Sequence, residues 1–270
     1  MLPLRNLVLE AMRVAWVRTR PRAAIFVFIK DSIDRLSPAA LSTLHDRSLA
    51  ILHDPIDRPI SATPRAHVDL HIASSQAQAK ALTALLRAWG RTSAKVGLVL
   101  HQPDLRLSAA TPPPRDRLRA AYFGNPDNAH LPGDLADRVA VHDVGFSDGM
   151  ARNLQLFGTA NFHFAVRPEA QARSDDVIKP LTKAVTAAVC GAPILINRHS
   201  HDAEDLLGHD YPYLVNRGDA DTISGMLDDA ASGFGGPTWR EAEDRMRQLR
   251  ARTTPERTAA DFERALGSVL

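Results

Sequence analysis

The stretch that decides the fold is KPLTKAVTAAVCGAPILI, residues 179–196. Its apolar residues recur every three to four positions at first, which predicts a helix that begins near Lys179. Gly191 is a typical helix terminator, and Pro193 prevents the helix from continuing. Ile194–Ile196 is a short apolar run of the kind found in buried strands. The stretch therefore predicts a helix followed by a buried strand.

The start of this predicted helix carries groups suited to a phosphate or diphosphate. A helix N-terminus has unpaired N–H groups and a partial positive charge. Lys179, Thr182 and Lys183 add two ammonium groups and a hydroxyl. At a spacing of four, the two lysines are predicted to share one helix face, where they repel unless an anion lies between them. Two solvated surface lysines are the alternative, but Pro180 favours a helix start at this point.

The rest of the chain alternates strand and helix patterns, which is typical of mostly parallel sheets covered on both faces. Strands are predicted at 23–29, 48–53, 68–73, 95–100, 118–123, 139–143, 161–166 and 213–215. Three consecutive prolines in 111–114 stiffen the chain and indicate a linker. We therefore expect an α/β protein of two Rossmann-like domains, residues 1–110 and 111–270, that face each other across a cleft.

The 179–196 segment resembles the donor-side segment of retaining nucleotide-sugar glycosyltransferases of the GT-B fold, the glycosyl transferases group 1 (family 4) type. Lys183 matches the lysine of that family's pattern, and Cys190–Pro193 matches its small-residue-Gly-x-Pro turn. The resemblance covers about the C-terminal half of the chain. It implies a C-terminal domain that holds a nucleotide-sugar donor, with Lys183 at the donor diphosphate. Thr186 stands where the family has a Glu that holds the donor ribose.

Two loops that follow predicted strands add to this donor site, because ligands of open parallel sheets lie beyond the carboxyl ends of the strands. Gly124 and Asn125 follow the 118–123 strand, and Gly124 lets a diphosphate approach the backbone closely. Arg167 follows the 161–166 strand and can fork onto phosphate oxygens. A plain Asn-Pro turn and a surface ion pair of Arg167 are the alternatives. His163 is interpreted as a satisfied histidine of the core or sheet face.

The N-terminal half offers candidates for the acceptor side. His53, Asp54 and Asp57 follow a predicted strand, so Asp54 or Asp57 could bind an acceptor hydroxyl or act as a base. Turn or helix capping is the simpler role for these carboxylates. The loop after the 194–196 strand carries histidines and acids, but their spacing matches no zinc signature. No metal and no cofactor are expected, and Asp202 is predicted to cap a short helix.

Composition narrows the class of protein. The 270 residues carry a net charge of +2, which gives no argument for nucleic acid as a partner. The one cysteine, Cys190, excludes an internal disulfide framework and fits a reducing cytoplasm. The N-terminal segment lacks the pattern of a secretion signal. Because it is basic and amphipathic, it is either a packed first helix or a site of peripheral membrane association.

The resemblance implies a hexosyltransferase-like enzyme that needs no metal and retains stereochemistry. It would move a sugar from a UDP- or GDP-sugar to a hydroxyl of a glycan or glycoconjugate, as in polysaccharide biosynthesis. The family normally begins with a strand and a Gly-rich loop, whereas this sequence starts in a helix, so we expect a shortened N-terminal domain. A non-catalytic binding or scaffolding subunit of the same fold is the alternative. An epimerase or hydrolase acting on sugar nucleotides is a third reading.

Overall fold

The computed structural model describes residues 4–63, 66–91, 93–109, 114–144, 150–168 and 177–270. The chain divides into two compact units. The first contains Met1–Leu100, Asp175–Pro180 and Ala259–Leu270, and the second contains His101–Ser174 and Leu181–Thr258. Both units are α/β, and each is built on one parallel sheet, as the alternating pattern predicts. The predicted linker at 111–114 lies outside the described residues except for its last proline.

The first unit is a four-stranded parallel sheet in sequence order. Its strands are β1 (Ile25–Ile29), β2 (Ala50–Asp54), β3 (Leu70–Ala73) and β4 (Lys95–Leu98). Its helices are α1 (Leu4–Arg18), α2 (Pro38–His45), α3 (Gln76–Ala88) and, from the end of the chain, α9 (Pro255–Gly267). The hydroxyl oxygens of Ser37 and Ser75 accept backbone N–H bonds of 3.1 and 3.0 Å in the first turns of α2 and α3, so these serines cap the two helices.

Two apolar layers cover the first sheet. On one face, Val17 of α1 packs with Leu41 and Leu44 of α2 against Ile51 of β2. In the other layer, Ala265 of α9 joins a cluster of residues from the strands, Ala50, Leu52, Leu70 and Ile72. Helix α9 approaches β4 so closely that a Cβ placed on Gly97 would lie 2.5 Å from the Cβ of Ala265. Close packing at this point therefore requires glycine.

The second unit is a five-stranded parallel sheet in the order β6-β5-β7-β8-β9. Its strands are β5 (Ala120–Phe123), β6 (Val139–His142), β7 (Phe162–Phe164), β8 (Ile194–Asn197) and β9 (Leu214–Val215). Its helices are α4 (Met150–Phe157), α5 (Thr182–Cys190), α6 (Ala203–Leu207), α7 (Ala220–Ser232) and α8 (Pro237–Arg252). Gly191 ends α5 in the left-handed conformation, with φ 71°, and Asp219 caps α7.

Helix α5 begins at Thr182, so the predicted start near Lys179 is wrong. Leu181 occupies the N-cap position with φ −79° and ψ 47°, outside the helical region. The ring of Pro180 disfavours helical geometry in the residue before it, which is Lys179. Lys179 is exposed and belongs to the first unit, whereas Lys183 belongs to the second. The two lysines therefore do not share a helix face.

Candidate functional site

A cavity of about 510 Å³ opens in the second unit at the carboxyl ends of β5 and β7 and beside the first turns of α5. This is the sheet edge where ligands of open parallel sheets bind. It is lined by His101, Gln102, Pro103, Asp104, Leu105, Leu107, Phe123, Val144, Phe157, His163, Phe164, Thr182, Lys183 and Thr186. Aromatic and aliphatic side chains supply half of this lining, and the polar groups come largely from α5 and the 101–104 segment.

Stacked rings form one wall of the cavity. The centroid of Phe123 lies 4.5 Å from that of Phe157 and 4.8 Å from that of His163. Side chains alternate along a strand, so Phe162 points to the opposite face of the sheet, where it meets Tyr213 edge-on at 4.9 Å. Phe123 and His163 of the sheet and Phe157 of α4 therefore present an aromatic wall to the cavity. Such a surface suits a planar or apolar ligand group.

His163 is the most unusual group in this wall. It is 3% exposed, and its Nε2 is buried without a hydrogen-bond partner among the described residues. Burial, with a smaller contribution from the charge of Lys183, lowers its pKa to about 3, so the ring is neutral at pH 7. The sheet-face position confirms the prediction, but the expected satisfied histidine is not observed. A buried nitrogen without a partner is costly, and a ligand or water in the cavity would offset that cost.

Lys183 and Gly124 lie against each other, on α5 and directly after β5. The Lys183 ammonium donates to the Phe123 carbonyl and sits 4.0 Å from the centre of the Tyr122 ring. Gly124 has φ +149°, and a Cβ built on it would lie 2.6 Å from the Lys183 Nζ. Only glycine leaves this space for the amine. Burial and the positive charge of Arg167 lower the pKa of Lys183 to about 8.

Arg167 is a second cation near this amine, as its effect on the Lys183 pKa requires. Its backbone is fixed by Asn197, which accepts the Arg167 N–H at 2.7 Å and donates to the Arg167 carbonyl at 3.0 Å. Among the described residues, the Arg167 guanidinium has no hydrogen-bonded or ionic partner. Two cations within electrostatic reach favour an anion between them.

The first turn of α5 adds neutral donors. The Thr182 hydroxyl is exposed at the cavity, and Thr186 lines it one turn later. The backbone N–H groups of Thr182 and Lys183 have no acceptor within the described segments, as expected at the start of a helix. These donors and the helix dipole favour a negatively charged group at this end of the cavity.

Asn125 and Lys179 are placed differently. The Asn125 side chain accepts the Asp127 N–H at 3.0 Å, and its carbonyl accepts the Tyr122 hydroxyl at 3.2 Å, so it is used within the turn. Lys179 does not line the cavity. Asp202 occupies the N-cap of α6 with φ 62°, but its side chain makes no capping bond, so that part of its predicted role is wrong.

The acceptor-side candidates meet at the carboxyl end of β2 in the first unit. His53 lies within the strand and is fully buried, with Nε2 2.9 Å from the Lys30 carbonyl. Burial raises the pKa of the Asp54 carboxyl, which accepts the Ile56 N–H at 3.1 Å. Asp57 forms an ion pair with Lys30 at 3.1 Å. Both carboxylates thus have local structural partners.

Sequence patterns missed two features. His71 of β3 is buried with neither ring nitrogen hydrogen-bonded to the described residues, and its ring centroid lies 6.0 Å from that of His53. Because β2 and β3 pair in parallel with His53 opposite His71, the repeated Leu-His dipeptide was the available signal. The second feature is the 101–107 segment, in which Asp104 binds Arg106 at 2.8 Å. It follows β4 in sequence but belongs to the second unit.

Neither a cluster of metal-binding side chains nor a membrane-spanning helix occurs in the described residues. Across the described ranges, no group of three or more His, Cys, Asp or Glu side chains is arranged to hold a metal ion. None of the helices in the described part of the chain is both long and apolar enough to cross a bilayer.

The chain resembles known proteins in structure rather than in sequence. No protein-family model matches it, and no curated protein matches its sequence. Sucrose-phosphate synthase from Thermosynechococcus elongatus is 14% identical, with a TM-score of 0.60 over 100% of this chain and 80% of that one. The apo form of the lipopolysaccharide outer core galactosyltransferase WaaB is 16% identical, with a TM-score of 0.63 over 99% and 81%. Anabaena HepE in complex with UDP is 12% identical, with a TM-score of 0.61 over 96% and 82%.

These matches establish the fold. The two parallel sheets with their helices are those of GT-B glycosyltransferases, and the chain has the GT-B fold. At these identities, activity must be argued from the chain's own residues.

Proposed function

We propose that the protein is a glycosyltransferase that takes a sugar from a UDP- or GDP-sugar and transfers it to a hydroxyl of a glycan or glycoconjugate. The observation that carries this proposal is the contact of Lys183 with Gly124 beside the Arg167 guanidinium and a helix N-terminus, at the mouth of an aromatic cavity. Cations and free N–H groups suit a diphosphate, and stacked rings suit the nucleoside attached to it. The fold shared with glycosyltransferases supports the same conclusion.

In this proposal the donor lies against residues 111–270. The diphosphate meets Lys183, Thr182 and Arg167, with Gly124 and Asn125 forming the adjacent turn. Lys179, an exposed cation, is also proposed to contact the donor. The donor affinity of a Lys179→Ala variant would measure its contribution. The nucleoside enters the cavity and offers a hydrogen bond to His163, which would otherwise stay unpaired.

The chemistry follows from where negative charge develops. The bond between the sugar carbon and the diphosphate oxygen breaks, the acceptor oxygen forms the new bond, and the acceptor proton passes to a base or solvent. Charge grows on the departing diphosphate, so cations that hold it more tightly as it leaves accelerate the reaction. Lys183 can supply this by exchanging the Phe123 carbonyl for a phosphate oxygen. The resemblance adds three further elements to the proposal: the reaction retains stereochemistry, it needs no metal, and the protein belongs to family 4.

The acceptor side and the cellular location complete the proposed function. Residues 1–110 form the acceptor side, apart from the 101–107 segment that lines the donor cavity, with His53, Asp54 and Asp57 as candidate contacts. The reaction belongs to polysaccharide biosynthesis in the cytoplasm. The protein is also proposed to attach peripherally to a membrane, because a lipid-bearing glycoconjugate acceptor would be located at the membrane surface.

Calorimetric titration with a panel of UDP- and GDP-sugars tests the donor site. Wild-type protein is expected to bind one of them, and Lys183→Ala and Arg167→Ala are each expected to weaken binding about tenfold or more, the scale of a charged hydrogen bond. Lys95→Ala, at an exposed lysine of β4, is the control and should bind like wild type. Unchanged binding by Lys183→Ala would overturn the assignment of this site.

A non-catalytic binding subunit is the second candidate. It is favoured by Thr186, which lines the cavity where the resembled family has its ribose-holding Glu, and by the Lys183 ammonium being engaged with a backbone carbonyl. Release of nucleoside diphosphate that depends on added glycan acceptors distinguishes an enzyme from a binding subunit. Turnover of the nucleotide sugar without any acceptor would instead indicate an epimerase or hydrolase.

A further inference from the structure

Helix α1 exposes a stripe of large apolar side chains. Val8 is 52% exposed, Met12 62% and Trp16 48%, and these residues are spaced four apart, so they line one face of the helix. Leu9 lies beside them and is 40% exposed. We call these four residues the α1 stripe. Exposed apolar residues scattered singly are ordinary, but four on one face of a single helix mark a contact surface.

The opposite face of α1 holds the helix to the first unit. Val17 is fully buried, and Val14 packs beside it in the cluster formed with α2 and the sheet. Glu10 accepts a hydrogen bond from the Ser37 hydroxyl at the start of α2. The helix is therefore fixed in place with its apolar stripe directed away from the core.

The segment that carries the stripe is basic. Residues 4–22 contain five arginines and one glutamate. That glutamate is engaged with Ser37 and lies 3.8 Å from Arg13. The guanidinium of Arg20 lies 4.5 Å from the centre of the Trp16 ring, at the end of the stripe. An apolar face on an arginine-rich segment, with a guanidinium at its end, is complementary to acyl chains below anionic headgroups.

We infer that the α1 stripe binds the surface of an anionic bilayer, with the helix lying in the plane of the interface. Trp16 is the type of residue that favours the headgroup level. Charge decides between a membrane and a second copy of the chain. Two copies packed through this face would bring their arginines together with one glutamate each, whereas anionic lipid supplies the opposite charge. The inference rests on the proposed function only for peripheral attachment to a membrane, and it names the surface responsible. Lipid binding itself requires neither the sugar donor nor the acceptor.

Vesicle co-sedimentation of the full chain tests this inference. Wild-type protein is expected to bind vesicles of equal parts phosphatidylcholine and phosphatidylglycerol at least about tenfold more tightly than phosphatidylcholine alone, and added salt should weaken the binding. Met12→Glu is expected to reduce binding to the anionic vesicles about tenfold or more, because a carboxylate enters the interface. Ala11→Glu places the same charge at an exposed position of α1 outside the stripe and should cost clearly less.

Tryptophan fluorescence provides a second measurement. Anionic vesicles should shift the emission of wild-type protein to shorter wavelength, and Trp16→Phe should abolish that shift while Trp89→Phe preserves it. The inference is overturned if wild type ignores anionic vesicles or if Met12→Glu binds as well as wild type. It is also overturned if sedimentation shows a dimer that Met12→Glu dissolves. Nucleotide-sugar titration of Met12→Glu should match wild type, so loss of lipid binding and failure of the donor site remain separable.

Discussion

Replacing His163 with Phe should remove a large part of the acid sensitivity of the second unit. Burial lowers the native pKa of this histidine from 6.5 to about 3, so the unfolded chain binds its proton first. The stabilisation is therefore present in full above pH 6.5 and is lost as the pH falls from there toward 3. Between pH 7.5 and pH 5.5 the linkage relation gives a loss of about 1 kcal/mol, rising to about 4 kcal/mol at pH 3.

Urea unfolding followed by Trp239 fluorescence measures this effect. Trp239 is buried in the second unit, with its ring centroid 5.7 Å from that of Phe162, so it reports on that unit. Trp16→Phe and Trp89→Phe, made together, provide the background for a single probe. The variant is expected to lose about 1 kcal/mol less than the parent between pH 7.5 and pH 5.5. His199→Gln, at an exposed ring, is the matched control. An identical pH dependence in the parent and His163→Phe would refute the reasoning.

Three further predictions concern the same unit. Gly124→Ala should place an L residue at φ +149° and push the Lys183 amine off the Phe123 carbonyl, which lowers the unfolding free energy by about 1–3 kcal/mol in urea titration; parent-like stability would contradict this backbone strain. Cys190 should resist thiol reagents at pH 8 until urea unfolds the chain, because burial raises its pKa to about 12; rapid labelling of the native protein would disprove this. Tyr211→Phe should cost about 1–3 kcal/mol, because the buried Ile194 N–H loses its acceptor at 2.8 Å, and a change below about 0.5 kcal/mol would show that another acceptor replaces it.

Local signals in the sequence predicted much of the fold. Ser37, Ser75 and Asp219 belong to the residue types that cap helices, and each accepts a backbone N–H at the start of one. Gly191 was predicted to end its helix and does so in the left-handed conformation. Such features depend on a few neighbouring residues, so the sequence contains what determines them.

Tertiary contacts explain what the sequence did not predict. Lys179 was assigned to a helix because Pro180 favours a helix start, but proline also disfavours helical geometry in the residue before it. The unpaired state of His163 depends on what surrounds β7, and the pairing of His53 with His71 depends on strand register. The proximity of Lys183 and Gly124 comes from residues 59 positions apart that meet only when β5 and α5 are packed. The sequence indicated both residues without indicating that they touch.

The packing of α9 on the first sheet has a consequence for synthesis. Residues 259–270 complete a unit whose strands lie before residue 100, and Ala265 fits against Gly97. Nearly the whole second unit is translated between these two segments. During translation, the second unit can therefore fold before the first unit is complete. Until residues 259–270 are synthesised, part of the apolar surface of the first sheet stays uncovered. That interval is when the nascent chain most needs a chaperone.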